Sequence, residues 1–245
     1  MLGREGVSEL FGLSLTDAAF SSPDPDDFEI IVREARNARR RSTLESRQLG
    51  AYEQVKRTLD IIVSGLLLVT LSPLLLFVAC AVKLTSRGPA VYCQKRLTIG
   101  GRIFKMYKFR TMREDAEAGI GAVWAQESDP RVTALGKILR KTRIDELPQL
   151  INVLQGDMSL IGPRPERPEL AVELSRELPE FSKRLAVKGG ITGLAQVSSG
   201  YASNADSYRD KLLFDLAYIR NRSLMLDLSI AARTVLVMLT GFGAR

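Results

Sequence analysis

The chain has 245 residues, a formal net charge of +7 and a sequence pI of about 9.6. This positive balance favours an anionic partner: nucleic acid, anionic lipid headgroups or a phosphorylated small molecule. The sequence contains no histidine, which excludes Ser-His-Asp and Cys-His catalysis, histidine metal ligands and imidazole acid–base chemistry. An enzyme built from it must work with carboxylates, Lys, Arg, hydroxyl groups or a bound ion.

The first 55 residues are predicted to form a basic extension that is poorly ordered or helical. Residues 1–28 end in the acidic, proline-broken SSPDPDDF and are expected to lack order. Residues 29–54 have helical spacing and carry an arginine cluster at Arg39, Arg40 and Arg41. Two interpretations stay open for this segment: a solvated helix or tail, and a basic patch that holds an anionic cytoplasmic leaflet.

Residues 61–82 form the one stretch of the sequence that is apolar enough for a membrane. The stretch is uncharged, and at about 1.5 Å per residue it is long enough to cross a hydrocarbon core of ~30 Å. Ser72-Pro73 interrupts it, because proline removes a backbone donor and clashes with the preceding turn. Both flanks are basic, and a crossing helix would have to translocate one of them. These flanking cations are Lys56, Arg57, Lys83 and Arg87. A kinked span and a hairpin that returns to the cytoplasm are both compatible with this pattern.

From residue 84 onward the sequence predicts a mixed α/β body. Residues 89–97 are predicted to form a strand, IGG a turn, and residues 102–112 the hairpin partner. Helices are predicted over residues 165–178 and 223–243. The second of these interrupts its apolar run with Asp227 and Arg233, so it is either a core helix or an interfacial helix lying on the bilayer.

The run DELPQLINVLQG predicts another helix in this body. Asp145 suits its N-cap, Pro148 its first turn and Gly156 its C-terminal cap. Its apolar positions are predicted to share one face. They are Leu147, Leu150, Ile151 and Leu154.

Asp145 and Glu146 are two adjacent carboxylates that follow a dense basic run. The run contains Lys137, Arg140, Lys141 and Arg143. A solvated ion-pair cluster, or a plain N-cap at Asp145, explains the pattern without any function. Alternatively, a helix N-terminus favours phosphate, and a carboxylate placed there among arginines can attack phosphorus or hold Mg²⁺. The sequence physics leaves both interpretations open.

Pro163-Arg164-Pro165 is the second candidate site motif. Two prolines stiffen the backbone around Arg164, so that less loop ordering is lost when the arginine clamps an oxyanion. A plain strand-to-helix connection, in which the prolines stop one element and start the next, is the alternative.

Several motifs occur together in one order. They are KRTLD, the Ser72-Pro73 break, GPAVYCQKR, FKMYKFRTM, DPRVTALGKILRKTRIDELPQLINVLQGDMSLIGPRP, GITGLAQV and FDLAYIRNRSLMLDL. In this combination the chain resembles the bacterial sugar transferase family, the monotopic phosphoglycosyl transferases. The resemblance covers nearly everything from Lys56 to the C-terminus. Because only one long apolar run is present, it implies the short form of the family.

The resemblance implies a fold and a place in the cell. The expected fold is mixed α/β, with a re-entrant membrane helix over residues 56–83 that is broken at Ser72-Pro73. Residues 84–245 are expected to form a small soluble catalytic domain with interfacial helices. The expected location is the cytoplasmic face of the bacterial inner membrane.

The resemblance also implies a reaction. Its partners are a UDP-sugar, polyprenyl (undecaprenyl) phosphate and the cytoplasmic membrane leaflet, while nucleic acid is not needed to explain the charge. A sugar 1-phosphate is transferred to the lipid and UMP is released, as the first membrane step of exopolysaccharide or glycoconjugate synthesis. An inactive membrane-anchored scaffold or regulator that binds nucleotide sugar is the competing hypothesis. A homodimer stays an open option.

By the same resemblance, Asp145 and Glu146 form the catalytic pair. Asp145 is expected to carry a covalent sugar-phosphate intermediate and to bind Mg²⁺. The residues expected to bind substrate phosphate are Arg140, Arg164, Lys108, Arg110 and Arg96. The chain has Leu97-Thr98 where many relatives place Val-Gly, which clouds the role of that turn. The variable stretch SGYASNADSY is expected to bear on sugar choice, and the sugar itself (glucose, galactose or an N-acetylhexosamine) stays open.

Overall fold

The protein is described here by a computed structural model covering residues 25–45, 50–113, 129–199 and 205–240. It mixes helix and sheet and is mostly helical, which confirms the predicted fold class at that level. The helices are α1 (Pro25–Glu45), α2 (Gly50–Thr70), α3 (Ser72–Thr85), α4 (Ala134–Lys141), α5 (Gln149–Gln155), α6 (Pro168–Glu177), α7 (Leu194–Ser198), α8 (Ala205–Asn221) and α9 (Leu224–Thr240). The strands are β1 (Val91–Thr98), β2 (Arg102–Phe109), β3 (Met158–Ile161) and β4 (Gly189–Thr192).

Helix α1 packs one face against the body. Ile31 and Ala35 are buried in a cluster that includes Leu185, and the Ser182 hydroxyl donates a hydrogen bond to Glu34 at 2.8 Å. On the opposite face Arg40 is exposed. The interpretation of this segment as a solvated helix is therefore wrong for the buried face. The predicted disorder of residues 1–28 falls mostly outside the described residues.

Helices α2 and α3 run through the predicted membrane segment and are separated only by Leu71. The pair is bent by 63°, and Pro73 lies in the first turn of α3, where a missing backbone N–H costs nothing. Among the described residues, no single helix is long and apolar enough to cross a membrane. Taken together, α2 and α3 meet that length and composition. Apolar side chains exposed on the pair include Ile62, Leu66, Val69, Leu76 and Phe77.

Strands β1 and β2 form the predicted antiparallel hairpin. Their register pairs Val91 with Phe109 and Thr98 with Arg102, and the turn between them is a short 3₁₀ segment, Ile99–Gly101. The second strand ends three residues before the predicted end, although Met112 still forms an isolated bridge with the chain further on.

Strands β3 and β4 form a second, parallel sheet that the sequence patterns did not predict. Its glycines let two backbones approach closely: a Cβ atom on Gly190 would lie 2.2 Å from the Gly162 nitrogen. The Gly190 N–H also donates to the Pro163 carbonyl at 2.8 Å. This contact fastens the start of the Pro163-Arg164-Pro165 turn and thereby positions Arg164.

Helix α5 begins at Gln149, so the predicted N-cap role of Asp145 is wrong. Asp145 lies instead in a preceding 3₁₀ turn, Ile144–Glu146, and Pro148 occupies the N-cap position. The C-terminal cap is confirmed, because Gly156 adopts a left-handed conformation with φ of 86°.

The buried face of α5 also differs from the prediction. Ile151 is 41% exposed, whereas the polar residue Asn152 is fully buried. The reason lies in β2: the Asn152 amide donates to the Lys105 carbonyl at 2.7 Å and accepts from the Tyr107 N–H at 3.0 Å. An apolar-periodicity rule cannot anticipate a polar side chain that is buried because it bonds a strand backbone.

Helices α6 and α9 confirm two predicted helices: α6 is shorter than predicted at both ends, and the last predicted residues of α9, 241–243, lie outside the described residues. Helix α9 combines features of both interpretations proposed for it. Ile230 is fully buried, yet Met225 and Leu239 are 75% and 80% exposed. One edge of α9 therefore belongs to the core, and the other presents an apolar surface.

Candidate active site

Asp145 and Glu146 lie in the turn between α4 and α5. Thr133 caps the start of α4 by accepting a hydrogen bond from the Gly136 N–H at 2.9 Å. After α4, Arg143 adopts a left-handed conformation with φ of 56°, which costs a non-glycine residue about 1 kcal/mol or more. This reversal directs the chain into the 3₁₀ turn and buries the Asp145 residue to 8% exposure.

Glu146 is held by cations from two other elements. Arg164 donates to both of its oxygens, from Nη2 to Oε1 at 2.5 Å and from Nη1 to Oε2 at 3.2 Å. Lys108, from β2, lies 3.5 Å from Oε1. The bidentate pair fixes the plane of the guanidinium, so Arg164 presents a defined edge to the neighbouring space.

The environment shifts the pKa values of Glu146 and Lys108 downward. Burial alone would raise the pKa of Glu146, but the charges of Arg164 and Lys108 outweigh burial and hold it far below its usual range. Burial lowers the pKa of Lys108 to about 8, and the neighbouring Glu146 limits the shift. Glu146 is therefore ionised at neutral pH.

Asp145 behaves in the opposite way. Burial and then the adjacent Glu146 charge raise its pKa to about 6, against the opposing charges of Lys108, Arg164 and Arg140. Neighbouring carboxylates with separated pKa values are a frequent sign of separate chemical roles. A carboxylate with a pKa near 6 is ionised at pH 7 and is more basic than a solvated aspartate.

The other three residues predicted to bind phosphate, Arg140, Arg96 and Arg110, each bond a different part of the protein. Arg140 donates from Nε to the Thr111 hydroxyl at 2.9 Å, and its charge acts on Asp145. Arg96 contacts the Pro163-Arg164-Pro165 turn, where it donates to the Pro165 carbonyl at 3.1 Å. Burial lowers the pKa of Arg96 to about 10.

Arg110 makes its hydrogen bonds at the end of α3. Its Nη2 donates to the Ser86 carbonyl and hydroxyl, both at 2.9 Å, and to the Gly88 carbonyl at 3.3 Å. Arg110 therefore attaches the segment that follows α3 to the end of strand β2.

A second charged cluster, which the sequence patterns did not single out, backs Arg164. Arg184 donates to Asp215 at 2.7 Å and to the Arg164 carbonyl at 3.0 Å. It also lies 4.0 Å from Glu166. Asp215 is 1% exposed within α8. Asp215 is the one charged residue in the apolar run LLFDLAYI, which was the available signal, but its partner Arg184 lies 31 residues away.

Asp145 offers one carboxylate, which suits a metal that takes its other ligands from water or substrate phosphates. Across the described part of the chain, no three acidic or cysteine side chains are grouped so that they could hold an ion. Both oxygens of Glu146 are engaged by Arg164, which leaves Asp145 as the available carboxylate. Mg²⁺ commonly binds through one or two carboxylates plus substrate phosphates, so Asp145 fits such an ion.

The family model for bacterial sugar transferases matches residues 51–241, and the chain belongs to this family. The chain is 47% identical over 208 residues to the UDP-N-acetylgalactosamine-undecaprenyl-phosphate N-acetylgalactosaminephosphotransferase of Aeromonas hydrophila, covering 82% of this chain and 49% of that protein. It is 46% identical over 194 residues to the UDP-glucose:undecaprenyl-phosphate glucose-1-phosphate transferase of Caulobacter vibrioides, covering 78% and 72%.

A third relative, the exopolysaccharide production protein PSS of Rhizobium leguminosarum bv. phaseoli, is 41% identical over 191 residues, which are 76% of this chain and 96% of that protein. The chain thus spans about half the length of the Aeromonas relative but nearly all of the Rhizobium one. The resemblance stated from the motifs is confirmed.

Proposed function

We propose that the protein transfers a sugar 1-phosphate from a UDP-sugar to undecaprenyl phosphate through an intermediate on Asp145. The observation that carries the proposal is the pair of buried adjacent carboxylates with opposite pKa shifts, surrounded by Lys108, Arg140 and Arg164. The names of the Aeromonas and Caulobacter relatives, which describe undecaprenyl-phosphate sugar-phosphate transferases, support it.

The proposed reaction has two displacement steps at one phosphorus atom. An Asp145 carboxylate oxygen attacks the phosphorus that bears the sugar, and the bond to the bridging oxygen breaks, so that UMP leaves with the bonding electrons. A phosphate oxygen of the lipid then attacks the same phosphorus. The bond to Asp145 breaks and regenerates the free carboxylate.

The cations define the roles of the other side chains. Arg164 and Lys108 would neutralise the phosphoryl oxygens while charge develops. Glu146, already ionised and bonded to both, would hold them in position rather than transfer a proton. Asp145 would hold Mg²⁺, which supplies Lewis-acid chemistry to the phosphoryl group when it is bound.

The attachment of the bent helix pair supports a re-entrant arrangement. At the start of α2, Arg57 donates to the Val153 and Leu154 carbonyls at 2.6 and 2.9 Å. At the end of α3, Arg110 bonds Ser86 and Gly88. Because both ends are fastened to one folded body, a single crossing would pull one attachment apart. An arrangement that enters and leaves on the cytoplasmic side keeps both.

The test is to incubate membranes containing the protein with undecaprenyl phosphate, Mg²⁺ and a panel of UDP-sugars, and to measure UMP. Release with at least one UDP-glucose- or UDP-N-acetylgalactosamine-type donor is expected. UMP formed without lipid acceptor, up to one equivalent per protein, would exclude the inactive scaffold. Absence of UMP with every donor, from folded membrane-bound protein, would refute the proposed reaction.

A further inference from the structure

The backbone of the turn that carries Arg164 is held by arginines from two other parts of the chain. Arg96, from β1, donates to the Pro165 carbonyl at 3.1 Å. Arg184 donates from Nη2 to the carbonyl of Arg164 itself at 3.0 Å. Because the Arg164 side chain bonds both oxygens of Glu146, the position of this backbone determines where the guanidinium lies in the candidate site.

Arg184 is itself held rigidly. The residue is 8% exposed, and its Nε donates to Asp215 of α8 at 2.7 Å. Its Nη1 lies 4.0 Å from Glu166. Each nitrogen of the guanidinium thus faces a different oxygen atom, an arrangement that depends on the planar fork of arginine and that a lysine ammonium does not reproduce.

Stability alone is a poor explanation for this buried ion pair. The desolvation of two charges largely cancels their attraction, and well-packed apolar residues of similar volume often stabilise a fold equally well. What Arg184 and Asp215 add is a hydrogen-bond donor fixed in direction. That donor connects α8 to the main chain of Arg164, which apolar side chains could not do.

We propose that Arg184 is a positioning residue for the sugar-phosphate transfer and that it acts through Arg164. The inference rests on the proposed function, in which the Arg164 guanidinium neutralises the phosphoryl oxygens. Arg184 does not touch the substrate. It fixes the Arg164 carbonyl to α8 and so keeps the guanidinium on Glu146, beside the proposed nucleophile. Donors that are fixed before the reaction stabilise the developing charge without the cost of reorganisation.

The test replaces the buried pair as a unit, with Arg184→Met and Asp215→Leu combined. Loss of one partner alone would leave a buried charge unpaired, whereas apolar replacement of both commonly preserves the fold. The value of kcat/KM for the UDP-sugar is expected to fall about tenfold to a hundredfold, the loss typical of a misplacement of about 1 Å. Circular dichroism and the denaturation midpoint in detergent establish that the variant is folded. If it is not, Arg184→Lys, which keeps a cation for Asp215 but loses the fork, takes its place under the same criteria.

Ser182→Ala is the matched control. Ser182 lies in the same 3₁₀ segment, Phe181–Ala186, and is also buried, but it bonds Glu34 of α1 and not the turn. Removing this bond should leave kcat/KM within about twofold of the parent value, because no interaction of the transition state is lost. A folded pair variant whose kcat/KM equals that of Ser182→Ala would overturn the proposal.

A double-mutant cycle separates positioning from a merely structural role. In an Arg164→Met background the side chain to be positioned is absent, so the paired substitution should change kcat/KM by less than about twofold. A fall as large as in the parent background would show that Arg184 acts on something other than Arg164.

The reactivity of Arg164 towards phenylglyoxal, measured by mass spectrometry of its peptide, tests the same contact without turnover. The Arg164 side chain is 32% exposed and paired with Glu146. In the paired variant it should react at least about threefold faster, because a guanidinium released from a bidentate pair is open to the reagent. The exposed Arg40 of α1 should react equally in both proteins and serves as the internal reference.

These outcomes are separable from the proposed reaction. A parent protein that releases no UMP, but whose Arg164 reactivity rises in the paired variant, would refute only the reaction. Normal turnover in the paired variant, with unchanged Arg164 reactivity, would refute only the positioning role.

Discussion

Asp145 and Glu146 are neighbours in sequence but occupy different electrostatic environments. Glu146 has two cations within 3.5 Å, whereas the pKa of Asp145 is raised by burial and by Glu146 itself. The same residues that make Asp145 a better nucleophile therefore make it costly to keep ionised in the fold.

Replacement of Asp145 by Asn is expected to abolish turnover and to stabilise the protein. Activity should fall at least about a thousandfold, because the attacking group is lost. At pH 7.5 the free energy of unfolding should rise by about 1–3 kcal/mol, since Asn removes the cost of ionising a carboxyl with a pKa near 6. Chemical denaturation in detergent, without Mg²⁺ or substrate, measures the change.

The pH dependence of this stabilisation follows from the sign of the shift. The folded-state pKa of Asp145 lies above its unfolded value, so the unfolded state holds fewer protons between about pH 4 and 6. The parent protein loses stability across that window as the pH rises. The difference between variant and parent should therefore vanish near pH 4, and a constant difference from pH 4 to 8 would contradict the assignment.

The catalytic rate is expected to depend on pH in a bell shape. The value of kcat/KM for the UDP-sugar should rise through about pH 6 as Asp145 ionises, and fall above about pH 8 as Lys108 loses its proton. Lys108→Arg should extend the alkaline limb, because arginine stays charged. An alkaline limb unchanged in that variant would show that another group titrates there.

At the scale of elements, local patterns predicted the hairpin and helices α6 and α9, but they missed α4, α7 and α8 and the long-range pairing of β3 with β4. The hairpin was predicted because its strands are separated only by Ile99–Gly101 and follow strand composition. The N-cap of α5 was predicted three residues early, because the N-cap rule cannot foresee the left-handed Arg143 and the 3₁₀ turn that follows. The β3–β4 sheet escaped prediction because its strands have four residues each and pair across α6.

The residues of the candidate site show the same contrast between local motifs, which the sequence reveals, and long-range contacts, which it does not. Asp145, Glu146 and Arg164 lie in recognisable motifs, so the sequence identified them. Arg184 lies in the 3₁₀ segment Phe181–Ala186 and donates to the Arg164 carbonyl, 20 residues earlier, a contact that no local pattern predicts.

A buried network connects α2 to α9. Asp227 accepts hydrogen bonds from Lys56 at 2.7 Å, from Tyr52 at 3.0 Å and from Tyr218 at 2.9 Å. Replacing Asp227 by Ala leaves the largely buried Lys56 ammonium and two hydroxyl groups without this acceptor. We expect a loss of about 3 kcal/mol in the free energy of unfolding, measured by denaturation in detergent.

Glu53 provides the matched control for that network. It pairs with Arg222 at 3.2 Å near the same two helices, but its side chain is 52% exposed. Glu53→Gln should therefore cost less than about 1 kcal/mol. Equal effects of the two substitutions would mean that the buried network does not fasten α2.

For the whole molecule, the basic flanks of the apolar segment have a structural role. Lys56 bonds Asp227 and Arg57 caps α5, so the charges that argued for cytoplasmic flanks also attach α2 to the catalytic body. Asp60 extends this attachment by accepting from the Leu160 N–H at 3.0 Å while 4% exposed. Beyond these contacts the pair exposes a long apolar surface that includes Ile62, Leu66 and Phe77.

This arrangement predicts that both flanks lie on the same side of the membrane as the body. With Cys80 and Cys93 replaced by Ser, single cysteines at Gln54, Arg87 and Arg209 report the first flank, the second flank and the body. A membrane-impermeant maleimide should label all three in inverted vesicles and none in intact spheroplasts, because both ends of the bent pair are attached to the same folded body. Phe77→Cys, 71% exposed beyond the bend, should react only after detergent is added. Labelling of Gln54→Cys in spheroplasts, with Arg209→Cys protected, would show instead that the bent pair crosses the bilayer and that its attachment to the body is broken in the membrane.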